Sequence, residues 1–345
     1  MTEKNAKIKL GIVGTGRIAM RAVREIMLVD DIKISAVFNP NTEHAKEFVL
    51  KILGDVAKDV SIEMSTDIES DENKQENCNI LAPENFEDFL DSVDAVYIAT
   101  PHGTHFEYAS KALQACKDVI CEKPMTLAKS QAKELCEIAK KNSLVLMEAI
   151  KTEHCPGFKE IEKIVVSGLI GEVADVEACF TRLTEGHCRE FDDIENGGAF
   201  TEFGSYPMLP ILRFLGTEFE GINFFSIPYD TGVDGYTKAL FRYKDKVGTA
   251  KTGLTVKSEG QLVISGTKGY ILVPSPWWLT RYFEVRFEDP SHVEKYNCEF
   301  EGDGLRYEFK EFARRVRQRE IAEDAANDEM LARAEAFEDF LAGRK

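Results

Sequence analysis

No stretch of the 345 residues stays apolar for the length a membrane span needs, and the first residues, Met1-Thr2-Glu3-Lys4-Asn5, hold no apolar signal region. Membrane and secreted classes are therefore not expected, and the chain reads as a cytoplasmic protein. Positive charge is also short. Lys and Arg number 43 against 60 Asp and Glu, for a net charge of −17. So acidic a chain is a poor partner for nucleic acid or an anionic membrane surface. A small anionic substrate stays compatible, because a local basic pocket can exist on an acidic protein. Cysteines are present at 78, 116, 121, 136, 155, 179, 188 and 298, yet none form a CxxC pair. Without that spacing they read as free thiols rather than a disulfide framework. The neighbours His154-Cys155 and His187-Cys188 lack a further ligand to complete a zinc set, so no metal is expected.

What the chain does have is alternation. Hydrophobic residues at 43% and charged residues at 30% describe a globular protein, and the length suits two domains rather than one core. Ile8 to Val13 is an apolar strand that runs into Gly14-Thr15-Gly16-Arg17-Ile18-Ala19, followed by helical periodicity from Met20 to Val29. Strand, glycine turn and helix in this order carry the G-x-G-x-x-A dinucleotide fingerprint. Gly14 allows the tight turn, Gly16 lets backbone amides approach a pyrophosphate, and Ala19 lets the helix pack close. Thr15, Arg17 and Ile18 belong to the same cofactor-binding turn, at the helix end that faces the phosphates. The second strand, Ile32 to Phe38, ends in Asn39-Pro40-Asn41. An Asp or Glu here would bind a ribose 2′-hydroxyl, and an Arg would suit a 2′-phosphate. Asn39 can do the first and does not repel the second, so NAD and NADP both stay open. The missing Arg tips the balance towards NAD.

Thr42 to Leu53 reads as a helix. An acidic stretch with few apolar residues follows at about 54–87, read as a solvated surface insertion. The buried strand from Asp94 to Ala99 ends in Thr100-Pro101-His102-Gly103-Thr104-His105, a polar loop suited to the nicotinamide half of a cofactor; His105 can equally cap or pack its helix. The apolar run Asp118-Val119-Ile120 leads into Cys121-Glu122-Lys123-Pro124. A Glu-Lys pair at the carboxyl end of a buried strand is costly unless it serves a ligand, and that end is where open α/β sheets bind ligands. The other reading is a surface ion pair at a strand exit. Lysine there can hydrogen-bond a substrate oxygen, and Pro124 raises the chance of a cis bond. With a helix at 127–141 and a strand at 144–147, residues 1–150 form a doubly wound parallel sheet of the dinucleotide-binding type.

From Lys151 the pattern changes. A helix near 157–167 and a strand at 173–182 precede β segments at 219–227, 236–243, 247–256, 261–266, 270–273 and 282–287, and helices near 306–319 and 328–341 close the chain. Residues 151–345 thus read as an α+β domain with a large, mostly antiparallel open sheet. One face of such a sheet needs a cover, so a homodimer or homotetramer through this sheet is expected.

In order and spacing, GIVGTGRIA at 11–19, ATPHGTH at 99–105, VICEKPMTL at 119–127, MEAIKT at 147–152, SGLIGEV at 167–173 and GGAFTEFGSYP at 197–207 resemble the Gfo/Idh/MocA (glucose–fructose oxidoreductase / inositol dehydrogenase) family of NAD(P)-dependent sugar and polyol oxidoreductases. The resemblance covers nearly the whole chain. It implies that Lys123 is the catalytic lysine, with Thr100, Pro101, His102, His105 and Glu122 in the cofactor site. It matches 202–206 to the family's second motif, Asp-x-x-x-His in inositol dehydrogenases and here Glu202-Phe203-Gly204-Ser205-Tyr206, a spacing that puts Glu202 and Tyr206 on one helix face. Tyrosine at the last position is similar to the glucose–fructose oxidoreductase and dihydrodiol dehydrogenase branches; glutamate for aspartate is a departure. A nicotinamide takes hydride from a carbinol carbon, so a group must take the hydroxyl proton, and Tyr206 suits if Lys123 stabilises its phenolate. Lys151, His154, His187 and Arg189 lie in loops expected to border the same cleft. Trp277 and Trp278 wall a sugar site or pack an interface. The expected function is hydride transfer between a nicotinamide cofactor and a secondary alcohol or ketone of a sugar, polyol or derivative. A cofactor-using hydrolase on the same scaffold and a nucleotide-sensing regulator are the alternatives; the presence of both Lys123 and Tyr206 argues against the regulator.

Overall fold

In the computed structural model, which describes residues 6–63, 79–320 and 324–344, the chain forms two compact units. The first comprises Met1–Glu122, Glu134–Ala149 and Phe309–Ala322; the second comprises Lys123–Lys133, Ile150–Glu308 and Glu323–Lys345. The units are thus not the two halves of the chain. A single cut after residue 150 misses two exchanges, at 123–133 and at 309–322.

The first unit alternates β1 (Ile8–Val13), α1 (Arg17–Ile26), β2 (Ile32–Phe38), α2 (Thr42–Glu63), α3 (Phe86–Asp91), β3 (Ala95–Ile98), α4 (His105–Gln114), β4 (Asp118–Glu122), α5 (Lys129–Asn142, begun in the second unit) and β5 (Leu146–Ala149). Its five strands are all parallel in the order β2-β1-β3-β4-β5. Every residue of β3, β4 and β5 is buried, as expected for strands covered on both faces. The order reverses between β1 and β3, and the crevice outside the carboxyl ends of strands at such a switch point is where these sheets take ligands. Of the acidic stretch expected at 54–87, residues 64–78 lie outside the described residues. Its beginning is helical, because α2 runs to Glu63 rather than stopping at Leu53. Near its end, Leu81 pairs with Ala36 of the edge strand β2, through Val37 N to Leu81 O and Leu81 N to Ser35 O, both 2.9 Å. That part of the stretch is tied to the sheet, where it covers backbone groups that an edge strand leaves open.

The second unit contains α6 (Lys151–His154), α7 (Pro156–Val166), β6 (Val173–Thr181), α8 (Arg189–Asp192), α9 (Ala199–Phe203), α10 (Ser205–Leu215), β7 (Gly221–Pro228), β8 (Asp234–Arg242), β9 (Val247–Gly253), β10 (Leu262–Gly266), β11 (Gly269–Val273), β12 (Tyr282–Phe287) and β13 (Val293–Asn297); α11 (Leu305–Gln318) and α12 (Asp324–Gly343) follow. The eight strands run β13-β12-β11-β10-β6-β9-β8-β7, antiparallel except for the β6–β9 pair. Register explains its two faces. Phe224, Ala239, Ala250, Ala178, Leu262 and Val273 are successive partners across the sheet and share one apolar core with Met208, Leu209, Ile211 and Leu212 of α10. One residue along, the row Asn223, Leu240, Thr249, Glu177, Val263, Leu272, Glu284 and Lys295 is mixed in polarity and nowhere fully buried. On the covered face, Arg213 of α10 gathers Glu153 at 2.9 Å, Glu329 at 2.5 Å and Glu162.

Helix α11 returns to the first unit from Phe309 onward. The Phe309 ring meets Tyr97 of β3 edge-on at 5.1 Å. Arg319, just past the helix, reaches Asp118 at 3.1 Å, and Arg317 reaches Asp31 at 2.6 Å. Among the described residues no helix is long and apolar enough to cross a membrane.

Candidate active site

The glycine turn is built by close approach. Gly14 sits at φ +105°, and a Cβ there would come within 2.5 Å of the Ala99 carbonyl oxygen beyond β3, so the turn tolerates only glycine. Gly14 N donates to Phe38 O at 2.9 Å, which ties the turn to the end of β2. Gly16 precedes α1 in extended backbone, no side chain caps that helix, and its first turn carries no acid. A Cβ on Gly16 would meet nothing within 4 Å. The turn therefore leaves room in front of helix N–H groups, which is what a pyrophosphate requires. Asn39 is engaged at both ends of its amide: Nδ2 donates to Thr15 Oγ1 at 2.8 Å and Oδ1 accepts from Asn41 N at 2.9 Å. Arg17 is exposed and Ile18 half-buried.

On the other side of the switch point, Thr104 Oγ1 lies 2.8 Å from both Thr100 Oγ1 and the Pro101 carbonyl. His105 is buried with Nε2 2.9 Å from the Thr100 carbonyl, and its ring meets that of buried His102 edge-on at 5.8 Å. His105 thus holds the loop backbone. Buried Glu122 accepts from Tyr97 Oη at 2.7 Å. Glycine turn, Asn39 and the Thr100 loop converge at one end of one sheet and fit a nicotinamide dinucleotide.

Lys123 clusters with the second unit, not with the strand it follows. The Lys123–Pro124 peptide is cis. The Lys123 ammonium donates to the Glu202 carbonyl oxygen at 3.1 Å and lies 3.6 Å from Glu202 Oε1. Glu202 Oε2 accepts from Arg189 Nη2 at 2.9 Å. The Lys123 and Glu202 side chains are only 12% and 14% exposed, that of Arg189 37%. Glu202 and Tyr206 do not share one unbroken helix: α9 ends at Phe203 and α10 starts at Ser205, with Gly204 between them still in helical backbone. Pro207 has no N–H to give the Phe203 carbonyl, which breaks the ladder without turning the chain. Tyr206 stacks on Phe180 at 4.9 Å; Phe180 also stacks on Phe203 at 4.6 Å and meets Trp278 at 4.0 Å. Arg182 stands over the Phe203 ring at 5.3 Å. Trp278 therefore belongs to an aromatic wall beside Tyr206, whereas Trp277 is fully buried and donates its Nε1–H to Cys179 O at 2.9 Å.

The start of α9 is held by Asp234, from β8. Its Oδ2 accepts from Phe200 N at 2.8 Å and Thr237 Oγ1 at 2.7 Å. Burial pushes the Asp234 carboxyl up to about 6, against the pull of these hydrogen bonds. Of the loop residues expected around the cleft, Arg189 contacts Glu202 directly. Lys151 is buried and donates to the Asp303 carbonyl at 2.5 Å. His154 lies 4.0 Å from Glu153, and fully exposed His187 lies 3.4 Å from Asp192. Phe180, Arg182 and Asp234 went unread in the sequence. No motif surrounds them, and the contacts that bring them to the site, Phe180 to Tyr206, Arg182 to Phe203 and Asp234 to Phe200, each span more than 20 residues. Among the described residues no group of three or more His, Cys, Asp or Glu side chains is placed to hold a metal, and the seven described cysteines are free thiols.

Residues 8–150 match the oxidoreductase family with NAD-binding Rossmann fold, GFO_IDH_MocA, and residues 158–272 match the GFO/IDH/MocA C-terminal domain. The chain is 30% identical over 225 residues to human trans-1,2-dihydrobenzene-1,2-diol dehydrogenase, covering 64% of this chain and 67% of that one. It is 27% identical over 333 residues to D-xylose 1-dehydrogenase (NADP(+)) of Hypocrea jecorina, covering 87% and 80%. In fold it is similar to KijD10, a 3-ketoreductase from Actinomadura kijaniata solved with NADP and TDP-benzene, with a TM-score of 0.76 at 22% identity over 96% and 97% of the two chains. The chain belongs to the Gfo/Idh/MocA family of NAD(P)-dependent oxidoreductases.

Proposed function

We propose that the protein moves hydride between a nicotinamide cofactor and a secondary alcohol or ketone of a sugar, polyol or related diol. The observation that carries this reading is the fixed Lys123 ammonium, held by the carbonyl and carboxylate of Glu202 one helical turn before Tyr206. The nicotinamide, when bound, supplies the hydride acceptor or donor. In the oxidation direction Lys123 orients the carbinol oxygen, and its charge favours the phenolate form of Tyr206. Tyr206 takes the hydroxyl proton as the carbon gives up its hydride. Glu202 sets the position of Lys123, and the wall of Phe180, Phe203 and Trp278 offers a flat apolar surface to a sugar ring. The named activities of the diol and xylose dehydrogenases support the substrate class.

For the cofactor we favour NADP(H). Asn39 stands where a carboxylate would repel a 2′-phosphate, and its amide is spent on Thr15 and Asn41. The relatives whose names state a cofactor state NADP, so the earlier leaning to NAD has no support. The test is a thermal-shift titration with NAD⁺ and NADP⁺, followed by a sugar and polyol panel read at the absorbance of the reduced nicotinamide. Stoichiometric reduction of cofactor supports the dehydrogenase; bond cleavage without net reduction would transfer the site to hydrolysis.

The mixed, half-exposed row of the large sheet supports pairing of two copies through that face, as a homodimer or a dimer of dimers.

A further inference from the structure

We propose that Arg189 and Arg182 form a subsite for an anionic group on the substrate, so that the preferred substrate is an acidic sugar or polyol, bearing a carboxylate or a phosphate, rather than a neutral one. The proposal rests on the oxidoreductase reading above and narrows its substrate class.

Arg189 gives one terminal nitrogen, Nη2, to Glu202 Oε2. Among the described residues no other side-chain acceptor engages it. A guanidinium that served only to clamp Glu202 would do so best in the two-nitrogen fork geometry. Here Nε and Nη1 are left over, on a side chain that is 37% exposed. Those donors lie one carboxylate away from the Lys123 ammonium, because the two oxygens of Glu202 separate the two cations. A substrate whose carbinol oxygen reaches Lys123 therefore has Arg189 within the length of a small sugar.

Arg182 adds to the same side. Its guanidinium rests on Phe203, the residue after Glu202, and is 49% exposed, with a 3.4 Å contact to Glu190. Lys257 Nζ donates to the Thr181 carbonyl, next to Arg182. Three cations, Lys123, Arg182 and Arg189, thus meet two carboxylates, Glu190 and Glu202; Lys257, beside Thr181, stands near the opposite charge of Glu259. Of the acids on the adjoining loop, Asp192 is directed to His187 and Asp193 to Asn196, and neither Glu185 nor Glu195 contacts either arginine. On a chain of net charge −17, a locally positive patch next to the reacting lysine is a feature that a neutral polyol gives no reason to keep.

The test compares matched substrates with the full-length protein and NADP⁺: D-glucose against D-glucuronate and glucose 6-phosphate, and the galactose set in parallel. The expected result is a kcat/KM at least about tenfold higher for an acidic member than for its neutral parent, with KM rising with salt for the acid alone. Which acid responds tells carboxylate from phosphate. Arg189→Met should lower the acid-to-neutral ratio by about tenfold or more, chiefly through KM, and Arg189→Lys should keep part of it. Arg182→Met should have a smaller effect in the same direction. Equal or better use of the neutral parents, or a variant that changes both substrate classes alike, overturns the proposal and leaves the dehydrogenase standing. Turnover of no panel member despite intact NADP⁺ binding would instead remove the reading on which it rests. Thermal melts of each variant separate lost folding from lost recognition.

Discussion

Glu202 stands where the resembled motif carries the shorter aspartate, and its two oxygens are divided, one 2.9 Å from Arg189 and the other 3.6 Å from Lys123. Lys123→Met and Tyr206→Phe should each lower kcat by about 100-fold or more, with much smaller changes in cofactor affinity. Their effects should be far from additive in the double variant, because in the proposed mechanism the two groups handle one proton; near-normal turnover by Tyr206→Phe would reduce that residue to packing. Asp234 gives a second residue-scale prediction. Its carboxyl rises from an ordinary 3.8 to about 6, so its contribution to stability is complete below about pH 4 and is lost as pH rises through 6. Glu153 runs the other way: despite its burial, the charges of His154 and Arg213 hold it near 2, so its contribution is present above about 4.5 and disappears as pH falls. Urea midpoints measured across pH should therefore lose their decline between pH 4 and 6 in Asp234→Asn, and lose part of their acid limb in Glu153→Gln. The second variant should also be less stable throughout, since Arg213 keeps a buried charge with one partner fewer.

At the scale of elements, the glycine turn makes the sharpest prediction. Nothing lies within 4 Å of a Cβ on Gly16, so Gly16→Val should fold and melt like the parent while losing dinucleotide binding by calorimetric titration. Gly14→Val should instead fail to fold well, because its Cβ would strike the Ala99 carbonyl. These two glycines were legible in the sequence because the turn, the strand before it and the helix after it are local. Lys123 was legible for the same reason, as a charge placed at the end of an apolar run. The partner of Glu202 was not, since Arg189 sits in a loop whose one short helical turn has no periodicity to read. The cap on α9 was hidden too: Asp234 begins a strand 34 residues beyond the amide it accepts from. The strands of the large sheet emerged from alternation except β13, where Glu294, Lys295 and Asn297 leave only Val293 and Tyr296 to carry an apolar signal.

For the whole molecule, light scattering at micromolar concentration should return a dimer or tetramer mass; a monomer would mean that the mixed face of the large sheet is simply wet. The exchange of segments between the units has a consequence for how the protein is made. The parallel sheet of the first unit comes from the first 150 residues, but the helix carrying Phe309 and Phe312 onto it is encoded more than 150 residues later. A chain leaving the ribosome at roughly 5–20 residues per second must therefore wait, with Tyr97 uncovered, for about 8–30 s until α11 emerges. The dinucleotide domain, first in sequence, is among the last parts to be finished. A stalled nascent chain ending near residue 300 should show this sheet still open to protease, and one long enough to expose residue 320 beyond the ribosomal tunnel should show it protected.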